Sequence, residues 1–195
     1  MLPALTLMAL AAACGGGASL GVAAPADGWL PGLRVHVEEH FYPVAGTSPG
    51  ALNRALASRG PRRDGRAAHA LTEWHVVWSY EPVRGAAGCV SGRPSVTVQI
   101  VTTLPRWTDL PTASDRLISD WALFLARLRD HESRHQHLAL EGSRELLASL
   151  SGLEAPSCAL LHARAEGVAS SLAARYDVEH VRVDESSDQD LRRIP

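Results

Sequence analysis

Two histidines with a glutamate beside the first, His131-Glu132-Ser133-Arg134-His135, are the residues here whose types and spacing amount to a chemistry. Side chains four apart on a helix project side by side, so His131 and His135 can offer two imidazole nitrogens to one ion at angles that suit tetrahedral zinc. Glu132 then stands beside the ion and not on it. There a carboxylate can take a proton from a water whose pKa zinc lowers to about 7, and pass it to a leaving amine. In a chain with nine histidines such a run can arise by chance, so the spacing alone is only suggestive. The alternative is a pair of core histidines bonded to backbone carbonyls, with Glu132 on a solvated flank. Position favours the metal, because both rings fall on an apolar stripe where each needs a partner. His137 lies two residues past His135, faces away from the pair and reads as solvated surface.

The stripe belongs to a long helix. From Ser114 the apolar period is helical, with Leu117, Trp121, Phe124, Leu128, His131, His135, Leu138, Gly142 and Leu146 on one side, a cap at Ser114 or Asp115 and an end near Gly152. Ala159 to Arg175 reads as a second amphipathic helix, and the charged residues from Asp184 onward read as a frayed tail. Before the long helix the period is two. Leu33 to Tyr42 alternates, with Val35, Val37 and Phe41 on one face. Thr72 to Tyr80 sets Trp74, Val76, Trp78 and Tyr80 on one face, expected to be sheet core more than a stacking platform for substrate. Ser95 to Thr103 is β-branched and should pair antiparallel with it across the turn-rich Gly85 to Pro94. Ser48-Pro49 opens a short helix that Gly60-Pro61 stops, and Arg62 to Arg66 reads as loop. These elements predict an α+β fold: an N-terminal antiparallel sheet with a short helix, then the zinc-motif helix packed on a C-terminal helix.

The composition narrows the partners. With 19 basic against 21 acidic residues and a formal charge of −2, nothing favours nucleic acid as a partner. Residues 1–26 carry no charged side chain and begin with an apolar run, the profile of an export signal and not of a transmembrane span in the mature chain. Ala24-Pro25-Ala26 offers a cleavage site; Leu10 to Cys14 loosely resembles a lipobox, which would leave Cys14 as a lipid anchor. Residues 27–183 then form one domain and 184–195 the tail. Either route leads out of the cytoplasm, to a periplasmic, secreted or membrane-anchored protein. It leaves Cys89 and Cys158 as a pair that an oxidising compartment would join, unless they are two separate buried thiols.

The wider pattern carries a resemblance. Tyr42-Pro43-Val44-Ala45-Gly46, Gly60-Pro61, the run Thr72-Glu73-Trp74-His75-Val76-Val77-Trp78, Leu104-Pro105-Arg106-Trp107, and Trp121 and Phe124 leading to the motif are similar to the bacterial domain-of-unknown-function family numbered 922. That family is described as predicted secreted zinc-dependent proteases. The similarity spans roughly Val35 to Asp177, and Cys89 and Cys158 fall where a cysteine pair recurs in the family. Arg134 stands where members often have Gly, and Tyr176-Asp177-Val178-Glu179-His180 replaces a terminal Tyr-Asp-x-x-Thr-x-His-Gly segment.

A catalytic zinc needs a third protein ligand. Glu141 has the spacing for one, but Leu138 stands where a turn-forming Gly would be required, so the helix should carry it away. Glu154 has the spacing of a glutamate from a following helix, yet sits in a turn. His180 comes just past the second helix, which can return the chain antiparallel to the motif, and it aligns with the terminal histidine of the resembling family if two residues are deleted. His180 is the expected third ligand, with Glu154 its alternative and Glu166 and Asp177 behind them. The expectation is one Zn2+ per chain and hydrolysis of a peptide or protein substrate. Two other readings are a non-catalytic envelope protein that binds a partner on the same scaffold, and a zinc hydrolase of non-peptide amides or esters.

Overall fold

The computed structural model describes residues 30–63, 65–187 and 194, so the leader with Cys14 and the cleavage site lie outside the described residues. The chain runs β1 (Leu33–Val44), α1 (Pro49–Arg59), β2 (Arg62–Arg63), β3 (Arg66–Ala67), β4 (Leu71–Gly85), β5 (Gly88–Trp107), a 3-10 turn, α2 (Asp115–Ser151), β6 (Glu154–Ala155) and α3 (Cys158–Ser187). This is the α+β arrangement expected, with the helices of the C-terminal half laid on the sheet.

The sheet is mixed, which corrects one expectation. Strand order is β1-β5-β4, with β6 pairing the start of β5. β4 and β6 are antiparallel to β5, but β1 is parallel to it, from Leu33 opposite Val96 to Val44 opposite Trp107. α1 and the β2–β3 hairpin carry the chain from the end of β1 to the start of β4. β4 therefore comes back, and β5 runs out again between the two. A parallel neighbour needs a crossover of this length; a tight turn would not do. The stretch expected as a long turn is mostly strand: the turn itself is Gly85 to Gly88, and pairing resumes at once, with a register shift between Ser79 and Glu81. Gly88 has φ 142°, and a Cβ there would sit 2.3 Å from the Ala155 carbonyl of β6. Arg62 to Arg66, read as loop, falls within the small ladder that pairs Arg62–Arg63 with Arg66–Ala67.

Ser48 caps α1, which buries Leu52 and Leu56 completely, each contributing about 1.5–3 kcal/mol. Ser114 caps α2, accepting from the Leu117 amide. α2 buries Leu117, Trp121, Phe124, Leu128, His131, Glu132, His135, Ala139, Ser143, Leu146, Leu147 and Leu150. Along 37 residues the buried stripe drifts, so Ala139 and Ser143 replace the expected Leu138 and Gly142 in the centre of the contact. The stripe lies on the inner face of β5, where Val96, Val98, Ile100, Thr102 and Leu104 are all at most 1 % exposed. α3 continues to Ser187 where a tail was expected from Asp184. Ile194 then returns to α1: it is buried, and its backbone exchanges two hydrogen bonds with the Asn53 side chain, of 3.1 and 3.2 Å. Cys89 and Cys158 are joined in a disulfide that ties the start of β5 to the start of α3.

Candidate metal centre

The two helices meet closely at Gly142, where a Cβ would lie 3.1–3.2 Å from the Tyr176 ring, and Glu145 receives both Arg175 and the Tyr176 hydroxyl. That contact fixes the antiparallel register of α3 on α2. One and two turns further along α3, His180 and Asp184 arrive beside His135 and His131. The Nε2 atoms of His131 and His135 are 3.2 Å apart, and Asp184 Oδ1 lies 3.0 Å from His135 Nε2 and 3.4 Å from His131 Nε2. Ligand bonds of about 2.0–2.2 Å at tetrahedral angles separate donor atoms by roughly 3.3–3.6 Å. The donor set, two imidazoles and a carboxylate, suits a zinc-sized cation, and spacings of 3.0, 3.2 and 3.4 Å bring the three atoms to that range or a few tenths of an ångström inside it, so they would move slightly apart around an ion. Burial would raise the Asp184 pKa, but hydrogen bonds from His131 and His135, helped by Arg63, outweigh it and hold the carboxyl well below the usual carboxylate range. Arg63, on β2, binds the other oxygen, Oδ2, at 3.1 Å.

His180, expected as the third ligand, stands one step back. Its Nδ1 is 2.9 Å from His135 Nδ1, on the side of that ring away from the cluster. Its ring stacks on Trp74 of β4, with centroids 3.8 Å apart and planes 17° from parallel. An ion on His135 Nε2 would leave that ring's proton on Nδ1, to be donated to His180 Nδ1. Burial first, then the neighbouring His135 and Arg63, pushes the His180 pKa down to about 4, so the ring is a neutral acceptor. Glu154 is exposed in β6, past the end of α2 and roughly 24 Å along the helix from His135. Glu166 and Glu141 pair with His162 and His137 on helix surfaces, and His137 is exposed as expected. Asp177 is apart from the cluster, its pKa raised by burial against the pull of Arg63. Asp184, which the sequence places in the tail, lies within α3. The signal that could have found it is its place four residues after His180, the same one-turn spacing as the motif pair, in a segment whose helix continues.

Glu132 is 4 % exposed and points toward the sheet, where its Oε2 accepts from Thr72 Oγ1 at 2.7 Å. Thr72 lies opposite Thr102 of β5, their hydroxyls 3.0 Å apart, and Gln136 Nε2 donates to Thr102 Oγ1 at 2.8 Å. Trp78 and Tyr80 pack in the core between the sheet and the helices, as expected, while Trp74 both packs there and supports His180.

A family model for a bacterial protein of unknown function (DUF922) matches residues 39–190. No curated protein and no solved structure matches the chain.

Proposed function

The chain belongs to that bacterial family of unknown function, DUF922, and from this footing we propose that it is an exported zinc-dependent hydrolase of peptide bonds. One observation carries the reading: the convergence of His131 Nε2, His135 Nε2 and Asp184 Oδ1 within 3.4 Å of one another, with the Glu132 carboxylate next in sequence and buried. His131, His135 and Asp184 would hold the ion. Zinc, when bound there, supplies a Lewis acid for the scissile carbonyl and lowers the pKa of a water to about 7.

Everything else falls to this chain's own groups. Glu132 takes the proton of the attacking water and returns it to the leaving amine, a role that contributes roughly 100- to 10,000-fold. His180, stacked on Trp74, fixes the tautomer and the plane of His135, and Arg63 orients Asp184 through Oδ2. The Cys89–Cys158 bond is in keeping with export into an oxidising compartment.

Glu132→Gln tests the assignment. The variant should hold zinc as the natural protein does while turnover of a fluorescein-labelled casein falls at least about a hundredfold. Equal turnover in the two would sink the mechanism. Stoichiometric zinc with no turnover on protein or peptide substrates, in natural protein and variant alike, would instead favour a binding role for the same centre.

A further inference from the structure

Glu132 is almost wholly buried, and a carboxylate in such a place needs hydrogen bonds to satisfy its oxygens and fix its aim. The partners come from three elements. Thr72 on β4, Thr102 on β5 and Gln136 on α2 form a row with Glu132, at 2.7 Å, 3.0 Å and 2.8 Å from one polar atom to the next. Thr72 is 3 % exposed and Thr102 1 %. Because Gln136 follows Glu132 by one helical turn, the row leaves α2, crosses two strands and comes back to the same helix.

The direction of each bond in the row can be worked out. A carboxylate accepts only, so the single hydroxyl proton of Thr72 goes to Glu132 Oε2. Thr72 Oγ1 must then accept from Thr102, whose own oxygen accepts from the Gln136 amide. Every donor points the same way, toward Glu132. Bonds in such a chain polarise one another and strengthen the last, charge-assisted one.

We propose that Thr72, backed by Thr102 and Gln136, is the positioning group of Glu132: it engages Oε2 and leaves the other carboxylate oxygen to exchange protons with substrate and water. The catalytic half of this rests on the peptidase reading above; the hydrogen-bonded row does not. It also gives the sheet a part in the reaction, because the register that sets Thr72 opposite Thr102 is what aims the base.

The test uses the full exported chain, zinc-loaded, in two measurements. Urea unfolding of Thr72→Val, Glu132→Leu and the double variant forms a cycle. Thr72→Val should shift the unfolding constant by roughly 5- to 150-fold when Glu132 is present, the scale for stranding a buried acceptor. In the Glu132→Leu background the shift should be at least about threefold smaller, because only the bond between Thr72 and Thr102 is left to lose. Additive effects in the cycle would overturn the row. Turnover of labelled casein supplies the second measurement: Thr72→Val should lower kcat at least about tenfold with KM and zinc content unchanged, and Thr72→Ser, which keeps the hydroxyl, should recover most of it. Full kcat in Thr72→Val, or no recovery in Thr72→Ser, would overturn the positioning role. If the natural protein itself turns over nothing, the peptidase reading fails, and the unfolding cycle still decides the row.

Discussion

At Asp184 and His180 the same helix turn offers two groups to one centre, and their distances separate the roles. Asp184 Oδ1 lies within 3.4 Å of both Nε2 atoms, whereas His180 reaches only the far nitrogen of His135. His180→Ala should therefore weaken zinc binding by about 10- to 100-fold, the usual cost of losing a group that orients a ligand. Asp184→Ala should weaken it more, since it removes a donor. Competition with a chromophoric chelator measures both, and a larger loss in His180→Ala would return the ligand role to that histidine. The motif pair was legible in the sequence because one-turn spacing on an apolar stripe is a local property. Asp184 was not, for its charge and closeness to the end of the chain describe a tail equally well, and its one-turn spacing from His180 counts only where the helix continues. Thr72 and Gln136 were silent for a related reason: their polarity makes sense only once β4, β5 and α2 are superposed.

α3 matters because it delivers Asp184, and Gly142 is where α2 lets it approach. A side chain there meets the face of the Tyr176 ring at 3.1–3.2 Å from its first carbon. Gly142→Leu should lower the thermal midpoint by roughly 2–12 °C, since overpacking costs roughly 1–3 kcal/mol and each kcal/mol is worth about 2–4 °C at this size. It should also weaken zinc binding, because the helix is pushed off near the centre. An unchanged zinc affinity in a destabilised Gly142→Leu would show that α3 does not set the position of Asp184. The element boundaries of α1 and α2 were readable from their caps, Ser48 and Ser114, and from the glycines that end them, Gly60 and Gly152. The direction of β1 was not. An alternating strand carries no mark of its neighbour's direction; that depends on where α1 and the hairpin put the chain down.

For the whole molecule, the bond from Cys89 to Cys158 closes a loop across 69 residues between the sheet and α3. Replacing both cysteines by serine should cost about 2–4 kcal/mol of unfolding free energy. Denaturant unfolding of that double variant against the oxidised protein measures it; equal midpoints would show that the bond adds nothing to the fold. The cysteine pair was readable as a pair, and the bond anchors the start of the helix that carries Asp184 beside His131 and His135. The central claim is that sheet, motif helix and α3 assemble one zinc site. Crystals of the chain soaked with zinc and measured on both sides of the zinc absorption edge test it most directly. The account predicts one anomalous peak per chain, about 2.0–2.2 Å from His131 Nε2, His135 Nε2 and an Asp184 carboxylate oxygen, with a fourth position not filled by protein. No peak between those three residues, or zinc held by His180 in place of Asp184, would contradict it.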